Sequence, residues 1–439
     1  MSHLFIAHGP RDIDALLRVH EALRQAGLPT WYTPQEAPQV QTAEAMAAVD
    51  DAFAMVVLVS ASSVRSKAVQ AQLNRAAERG VTLLPIRADN GRLSRQFKTL
   101  LADKLTDHID DDGALARLVE TARARYQRRC PVIAVMNLKG GIGKTTVSSQ
   151  VFGAWQARLG GRVLLVDLDP QYNLTQTFFD MDRADASAAE DRSVISLFER
   201  SRLHGSDEVS PAEDWATIST APFTAAPREQ LMHDLLAGED APGGRLDLIS
   251  GQFEISKYAF APSPQALAMV GANFRRMVDH YRGKYDLIIF DTNPNATFLT
   301  RCALEAADRV LAPMHADVYS LRGVRLLNQV IQEQVSPNKR PALSVLFNAV
   351  GRSEQSDFEA DARNGQFDQR AGFDLSSALL SLALPKSGHL NVKSPDPDAA
   401  AWKQLVIHRG RGGGLKQIRE TLTSIASELK TLVETEAAP

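Results

Sequence analysis

The chain has only two cysteines in 439 residues, Cys130 and Cys302. Two thiols cannot build a disulfide framework and nothing flanks them at metal-ligand spacing, so a reducing cytosol is the expected compartment. Met1-Ser2-His3-Leu4-Phe5 lacks a basic stretch followed by a long apolar run, so no secretory signal is expected there. No apolar run is long enough to cross a bilayer, and no membrane partner is expected. Neither sign of charge dominates: 49 Lys+Arg against 52 Asp+Glu leave a net −3. Any nucleic-acid contact must then come from a local patch rather than a global field. No Ser-His-Asp set, His/Cys cluster or paired acid and base stands out, and there is no internal repeat. What remains is an ordinary globular composition, 44% hydrophobic and 23% charged. The length suits two or three domains.

The first part of the chain alternates strand and helix signals. Strands are expected at Leu4–Ala7, Thr30–Tyr32, Met55–Val59 and Thr82–Ile86. Helices are expected at Arg11–Ala26, stopped by Gly27, at Ala43–Phe53, and at Ser66–Arg79, stopped by Gly80. This alternation implies a parallel sheet covered on both faces. Asp110-Asp111-Asp112-Gly113 breaks the pattern, and Ala114 to Arg129 reads as one helix. The expected division is an α/β domain over 1–112, a helical linker over 113–130 and a second α/β domain over 131–439. In that second domain, strands are expected at 132–136, 163–167, 246–249, 286–290, 309–312 and 343–347. Residues 181–243 are richer in Asp, Glu, Ser, Ala and Pro and read as helical excursions and loops after its second strand. Leu415 to Val433 is patterned as an amphipathic terminal helix, with Glu434 to Pro439 frayed.

The strongest chemical signal is Lys139-Gly140-Gly141-Ile142-Gly143-Lys144-Thr145-Thr146, directly after the apolar run Val132–Met136. A buried strand, a glycine-rich turn and a helix N-terminus are what a phosphate-binding loop needs. The glycines let backbone N–H groups close around phosphate oxygens, Lys144 adds a point charge, and Thr145 offers a hydroxyl to Mg²⁺. Two further apolar strands end in acids: Val163–Val166 leads to Asp167 and Asp169, and Leu287–Phe290 leads to Asp291. Ligands of open α/β sheets sit at those strand ends. Asp291 can hold Mg²⁺ directly or through water, and either Asp167 or Asp169 can orient an attacking water.

Lys139 to Thr146, with lysine at its first position, resembles the deviant Walker A motif of the ParA/MinD family. Val166-Asp167-Leu168-Asp169-Pro170-Gln171 is similar to that family's switch I, and Phe290-Asp291-Thr292-Asn293-Pro294 to its switch II. Ala303 to Pro313 also fits the family pattern, so the resemblance covers about residue 131 to the C-terminus. It implies a P-loop NTPase sheet covered by helices, with ATP and Mg²⁺ as cofactors. Lys139 would be the signature lysine, reaching across an ATP-sandwiched homodimer to the partner's phosphates. Asp169 would position water, Thr145, Asp167 and Asp291 would stand at the metal, and Asn348 would contact adenine. The implied activity is ATP hydrolysis, slow until a partner protein stimulates it, in a cytoplasmic, nucleoid-associated switch that positions DNA or another large cargo. Asn293 stands where a proline is usual, which alters switch II rigidity and removes no ligand.

Family members bind DNA non-specifically through basic residues, and the candidates here are Lys339, Arg340, Lys386, Lys393, Arg409 and Arg411. The N-terminal series resembles a TIR domain, a smaller flavodoxin-like α/β fold, on Leu4–His8, Gly27–Tyr32, Met55–Ser60 and Ser66–Leu73. Gln72 falls where NAD-cleaving members carry their catalytic glutamate. An amide can hydrogen-bond a ribose but cannot place a negative charge beside an oxocarbenium-like centre, so no NAD hydrolysis is expected. Glu78 is two helical turns further on, and His8 reads as a satisfied polar group at a strand end. Such a pairing also fits a signalling or anti-phage defence protein in which the ATPase is an oligomerisation switch.

Overall fold

The structure, a computed structural model, describes the chain apart from residues 1–2, 34–40, 51, 79–80, 102–106, 128–129, 206–209, 239–240, 242–243, 261–262, 352–354, 392–394, 397–398, 410–411, 413 and 437–439. Two compact units are present. Met1–Arg129 forms the body of the first, and Cys130–Arg275 with Tyr285–Pro439 forms the second.

The first unit is a four-stranded parallel sheet of β1 (His3–Ala7), β2 (Thr30–Tyr32), β3 (Ala52–Val59) and β4 (Thr82–Arg87), in the order β2-β1-β3-β4. Alternate side chains of each strand leave by opposite faces. Leu4, Ile6, Val56 and Leu58 enter one core with Leu16, Val19 and Leu23 of the helix Ile13–Gln25. Phe5, Met55 and Val57 enter the other with Val69, Leu73 and Phe97. Both faces are covered, as the strand–helix alternation requires. Two expectations need correction. The helix expected over Ala43–Phe53 is Gln41–Asp50, and Ala52 and Phe53 open β3, which pairs with a strand on each side. The segment 113–130 is helical over Ala114–Gln127, but Ala114, Leu118 and Ala122, spaced four apart, are buried in the first core. That helix is a wall of the first unit rather than a linker.

The second unit is an eight-stranded sheet: β5 (Val132–Val135), β6 (Gly161–Asp167), β7 (His233–Leu236), β8 (Gly244–Ile249), β9 (Leu287–Asp291), β10 (Arg309–Met314), β11 (Ala342–Val350) and β12 (Leu384–Pro385). The order is β12-β11-β10-β5-β9-β6-β8-β7, parallel except for β7. β5 and β9 are neighbours near the middle, so their C-terminal ends open onto one cleft. The helix Lys144–Leu159 is buried over Val147–Gln156, which is why its apolar residues show no one-sided stripe. The terminal helix runs Leu415–Glu436, beyond the expected Val433, and sinks Ile418, Leu422, Ile425 and Leu429 into the same core.

The described part of the stretch 181–243 combines buried apolar residues, among them Val194, Ile195, Phe198, Leu235 and Leu236, with buried polar contacts. It holds the helix Met181–Ala189, short helical turns and the antiparallel β7, which alternation alone did not indicate. Lys257 and Glu199, both buried, form an ion pair of 2.8 Å. Lys257 Nζ also donates to the carbonyls of Pro211, Asp214 and Thr217, and Glu199 accepts from Tyr258 Oη and Ser219 N. A buried charge with this many partners adds a directional tie to the apolar packing of Val194, Ile195, Phe198, Leu235 and Leu236.

His233, in β7, lies 2.7 Å from Ser187 Oγ and against the Phe179 ring. Burial first, then the positive charge of Arg192, lowers its pKa to about 4. A folded-state pKa below the unfolded value means stability present above about pH 6.5 and lost as pH falls toward 4. Urea unfolding at pH 7 and pH 4.5 should show His233→Gln losing less stability on acidification than the parent, by about 2–3 kcal/mol. Equal losses in the two proteins would contradict the assignment.

Candidate active site

The loop after β5 makes two left-handed turns, at Gly141 (φ 72°) and Gly143 (φ 81°). Gly143 directly precedes the helix Lys144–Leu159, so the turn aims that helix N-terminus into the cleft. A Cβ on Gly143 would lie 2.3 Å from Asn348 Nδ2. That amide donates to Ile142 O at 2.6 Å, so Asn348, near the end of β11, grips the loop from the side. The structure thus gives Asn348 a role as a brace for the loop. Asn137 is a brace that sequence reasoning missed: its Nδ2 donates to Pro313 O at 2.8 Å and its Oδ1 accepts from Lys139 N at 3.0 Å. Its signal was a polar residue fully buried between an apolar strand and the glycines, and Gly323 clears the space it needs, 2.4 Å from where a Cβ would stand.

Lys144 is buried, with Nζ 3.5 Å from Lys139 O, and burial lowers its ammonium pKa. Thr145 Oγ1 donates to Asp291 Oδ2 at 2.8 Å and Ser148 Oγ to Asp291 Oδ1 at 2.7 Å. Asp291 is wholly buried, and desolvation pushes its carboxyl up to about 6 against those two hydrogen bonds. Asp167 stands beside it in register across β6 and β9. Its Oδ2 accepts from both Thr175 N and Thr175 Oγ1 at 2.8 Å, and its Oδ1 from Asp169 N at 3.2 Å. Burial, then the nearby Asp291, raises its pKa well above the carboxylate range. Asp169 lines the cleft, accepts from Gln171 N at 2.9 Å, and is also raised, chiefly by burial. Three carboxyls crowded at one sheet edge, facing one buried lysine, suit a site completed by a cation.

Lys139 does not reach into the cleft. Its Nζ lies 3.2 and 3.3 Å from the Asp317 carboxylate oxygens and donates to Ser320 Oγ at 2.9 Å. Asp317 caps the helix Val318–Gln334 through Ser320 N, so Lys139 is docked at a helix start of its own chain. Asn293 braces the turn after β9: its Oδ1 lies 3.4 Å from Asn295 N and from Thr300 Oγ1. The cleft itself is about 1160 Å³, lined by Gly140 to Thr146 on one side and by Asp169, Gln171 and Asn173 on another.

The other expected residues scatter. Lys339, Arg340 and Lys386 are exposed, but Arg340 binds the carbonyls of Val335 and Gln332, and Arg409 those of His389 and Gln404. Lys393 and Arg411 lie outside the described residues. In the first unit Gln72 is buried, and the side chain of Glu78 lies outside the described residues. The His8 ring nitrogens lie 3.1 Å from Gly9 O and 3.2 Å from Thr33 O, so its N–H has a carbonyl to donate to in either tautomer. No helix among the described residues is long and apolar enough to cross a membrane.

Gly143→Ala should abolish nucleotide binding while leaving the fold intact, because φ near +80° and the Asn348 amide both exclude a methyl group. Titration with a fluorescent ATP analogue, with circular dichroism as the fold control, reads this; parental affinity in the variant would contradict it.

Comparison with known proteins places the chain in a family. The AAA domain family matches residues 130–345 and the TIR domain family matches residues 4–119. The chromosome-partitioning ATPase Soj of Thermus thermophilus is 32% identical over 224 residues, 51% of this chain and 68% of that protein. The sporulation initiation inhibitor protein Soj of Bacillus subtilis is 30% identical over 206 residues, 45% of this chain and 64% of that protein. A solved structure of pNOB8 ParA is similar at a TM-score of 0.49 with 20% identity, over 70% of this chain and 97% of that one. The chain belongs to the ParA/Soj family of P-loop ATPases and carries a TIR domain at its N-terminal end.

Proposed function

We propose that the chain is a Mg²⁺-dependent ATP hydrolase that closes into a homodimer around two ATP molecules and positions DNA or another large cargo. The observation that carries this reading is the pairing of a complete phosphate loop with a second lysine, Lys139, held away from the cleft by Asp317 and Ser320. A lysine not used on its own chain's phosphates is available for a partner's. The partitioning role is carried over from the Thermus relative's name.

The residues present fit the cofactors. Thr145 Oγ1 and the Asp291 carboxylate are adjacent hard oxygen donors, and would hold Mg²⁺ with Asp167 behind them. Among the described residues no group of three or more His, Cys, Asp or Glu side chains could hold a metal. Mg²⁺ tolerates this because it keeps water and takes phosphate oxygens. Bound there, it would neutralise charge on the phosphate oxygens. The chain's own groups do the rest. Lys144 and the loop's N–H groups hold the phosphates, and Asp169 accepts a hydrogen bond from the attacking water and orients it. Asn348 would add an adenine contact to its grip on the loop.

Non-specific DNA binding would use Lys339 and Lys386, with Lys393 and Arg411, while Arg340 and Arg409 are already engaged on carbonyls. A stimulating partner protein and a cytoplasmic, nucleoid-associated location complete the reading. The TIR match favours a second setting, signalling or defence, in which the same ATPase drives oligomerisation and the TIR domain is a non-catalytic assembly module.

Size-exclusion chromatography of Asp169→Ala with ATP and Mg²⁺ should show a trapped dimer, with phosphate release reduced by about 10²-fold or more. A monomer that still releases phosphate at the parental rate would contradict the role of Asp169. The intact chain should leave NAD uncleaved, and turnover of NAD would overturn the non-catalytic reading of Gln72.

A further inference from the structure

A second cavity, of about 690 Å³, opens in the ATPase unit between the helices Pro264–Arg282, Phe298–Ala306 and Val318–Gln334. Its volume falls within the roughly 300–1,000 Å³ of small-molecule sites. One half of the lining is apolar, with Leu267, Phe298, Val330 and Val335. The other half carries Arg275, Arg301 and Lys339 against a single acid, Glu305. Glu305 binds both guanidiniums: Arg275 Nη1 reaches Oε2, and Arg301 Nε reaches Oε1 at 2.8 Å. One carboxylate shared by two arginines leaves positive charge in the cavity, and Lys339 adds to it.

An independent sign comes from Thr297. This residue lines the cavity at the N-cap of Phe298–Ala306 yet makes no capping hydrogen bond. Its hydroxyl oxygen is buried and has no hydrogen-bond partner. A buried hydroxyl left unsatisfied costs free energy until an acceptor arrives, and an uncapped helix start favours a negative one. The glycine at 271 leaves room: a Cβ there would sit 3.5 Å from Cys302 Sγ and the Phe298 ring, in ordinary contact.

We propose that this cavity is a second ligand site, for a small organic anion, a phosphate ester or carboxylate bearing an aryl or short alkyl group. The anion sits against Arg275 and Arg301, where rotation of the Thr297 side chain would bring its unpartnered hydroxyl to it, and the apolar group lies against Phe298 and Leu267. The site is also placed to act on the nucleotide cleft. Thr300 lines the cavity and its hydroxyl bonds Asn295 O and approaches Asn293 Oδ1, in the turn that follows Asp291. An occupant would therefore touch a residue that hydrogen-bonds the turn following Asp291.

The test is isothermal titration of the full chain with phenyl phosphate in saturating ADP and Mg²⁺, so that the phosphate loop is already filled. Saturable binding is expected, weakened about tenfold or more by Arg275→Ala/Arg301→Ala, with ADP affinity unchanged. Gly271→Leu, which fills the apolar half, should weaken it as much. The two variants are independent, so if one loses ADP binding through misfolding the other decides. Benzoate in place of phenyl phosphate separates the two anion sources, and binding by either supports the site. Absence of saturable binding by both, equal binding by benzyl alcohol or by inorganic phosphate, or parental affinity in the variants would overturn it.

Discussion

The left-handed turn at Gly143 is the constraint on which the phosphate-loop cleft depends. After a first left-handed residue at Gly141, it turns the chain into the helix Lys144–Leu159 with the helix N-terminus aimed into the cleft. The Asn348 amide occupies the space a side chain would need, so the turn is enforced both by φ and by packing. Asn137 ties the loop to β10 through Pro313 O, and Asn348 grips it from β11, which makes a flexible, glycine-rich segment a fixed cradle. Preorganisation of this kind removes the ordering cost from nucleotide binding.

Against that cradle the sheet sets three carboxyls that it has largely desolvated. Asp167 and Asp291 meet in register, and burial raises both. Left alone they repel and resist ionising; a cation and a phosphate-bound Lys144 would relieve that. The arrangement thus favours the complete assembly of metal, nucleotide and protein over any part of it. Lys139 adds a second condition. Its ion pair with Asp317 is partly exposed on both sides, the class of contact worth little on its own, so exchanging it for a phosphate, as the proposed dimer requires, would cost little.

Much of this was legible before any coordinates. Buried strands announced themselves as apolar runs, and the acids at their ends, Asp167, Asp169 and Asp291, gather at one sheet edge as the motif spacing implied. What the pattern could not show was contact between distant residues. Asn137 and Asn348 brace the loop through partners up to 206 positions away, which no local signal reports. The antiparallel β7 and Glu199, the buried partner of Lys257, lie in a segment with weak periodicity because its buried residues, such as Val194, Ile195, Phe198, Leu235 and Leu236, sit on short turns and a short strand rather than on one long stripe. The helix Ala114–Gln127 looked like a linker because its sequence turns polar and basic toward its end, while Ala114, Leu118 and Ala122 make a narrow buried stripe. The scattering of Arg340 and Arg409 onto backbone carbonyls was likewise invisible in a list of charges.

The central claim is that Lys139 serves a second copy of the chain rather than its own. Sedimentation velocity of the full chain and of Lys139→Ala, each with ATP and Mg²⁺ and again with ADP, tests it most directly. The account predicts a dimer for the parent with ATP only, and a monomer for Lys139→Ala that still binds ATP. A Lys139→Ala protein that dimerises with ATP as the parent does would contradict it.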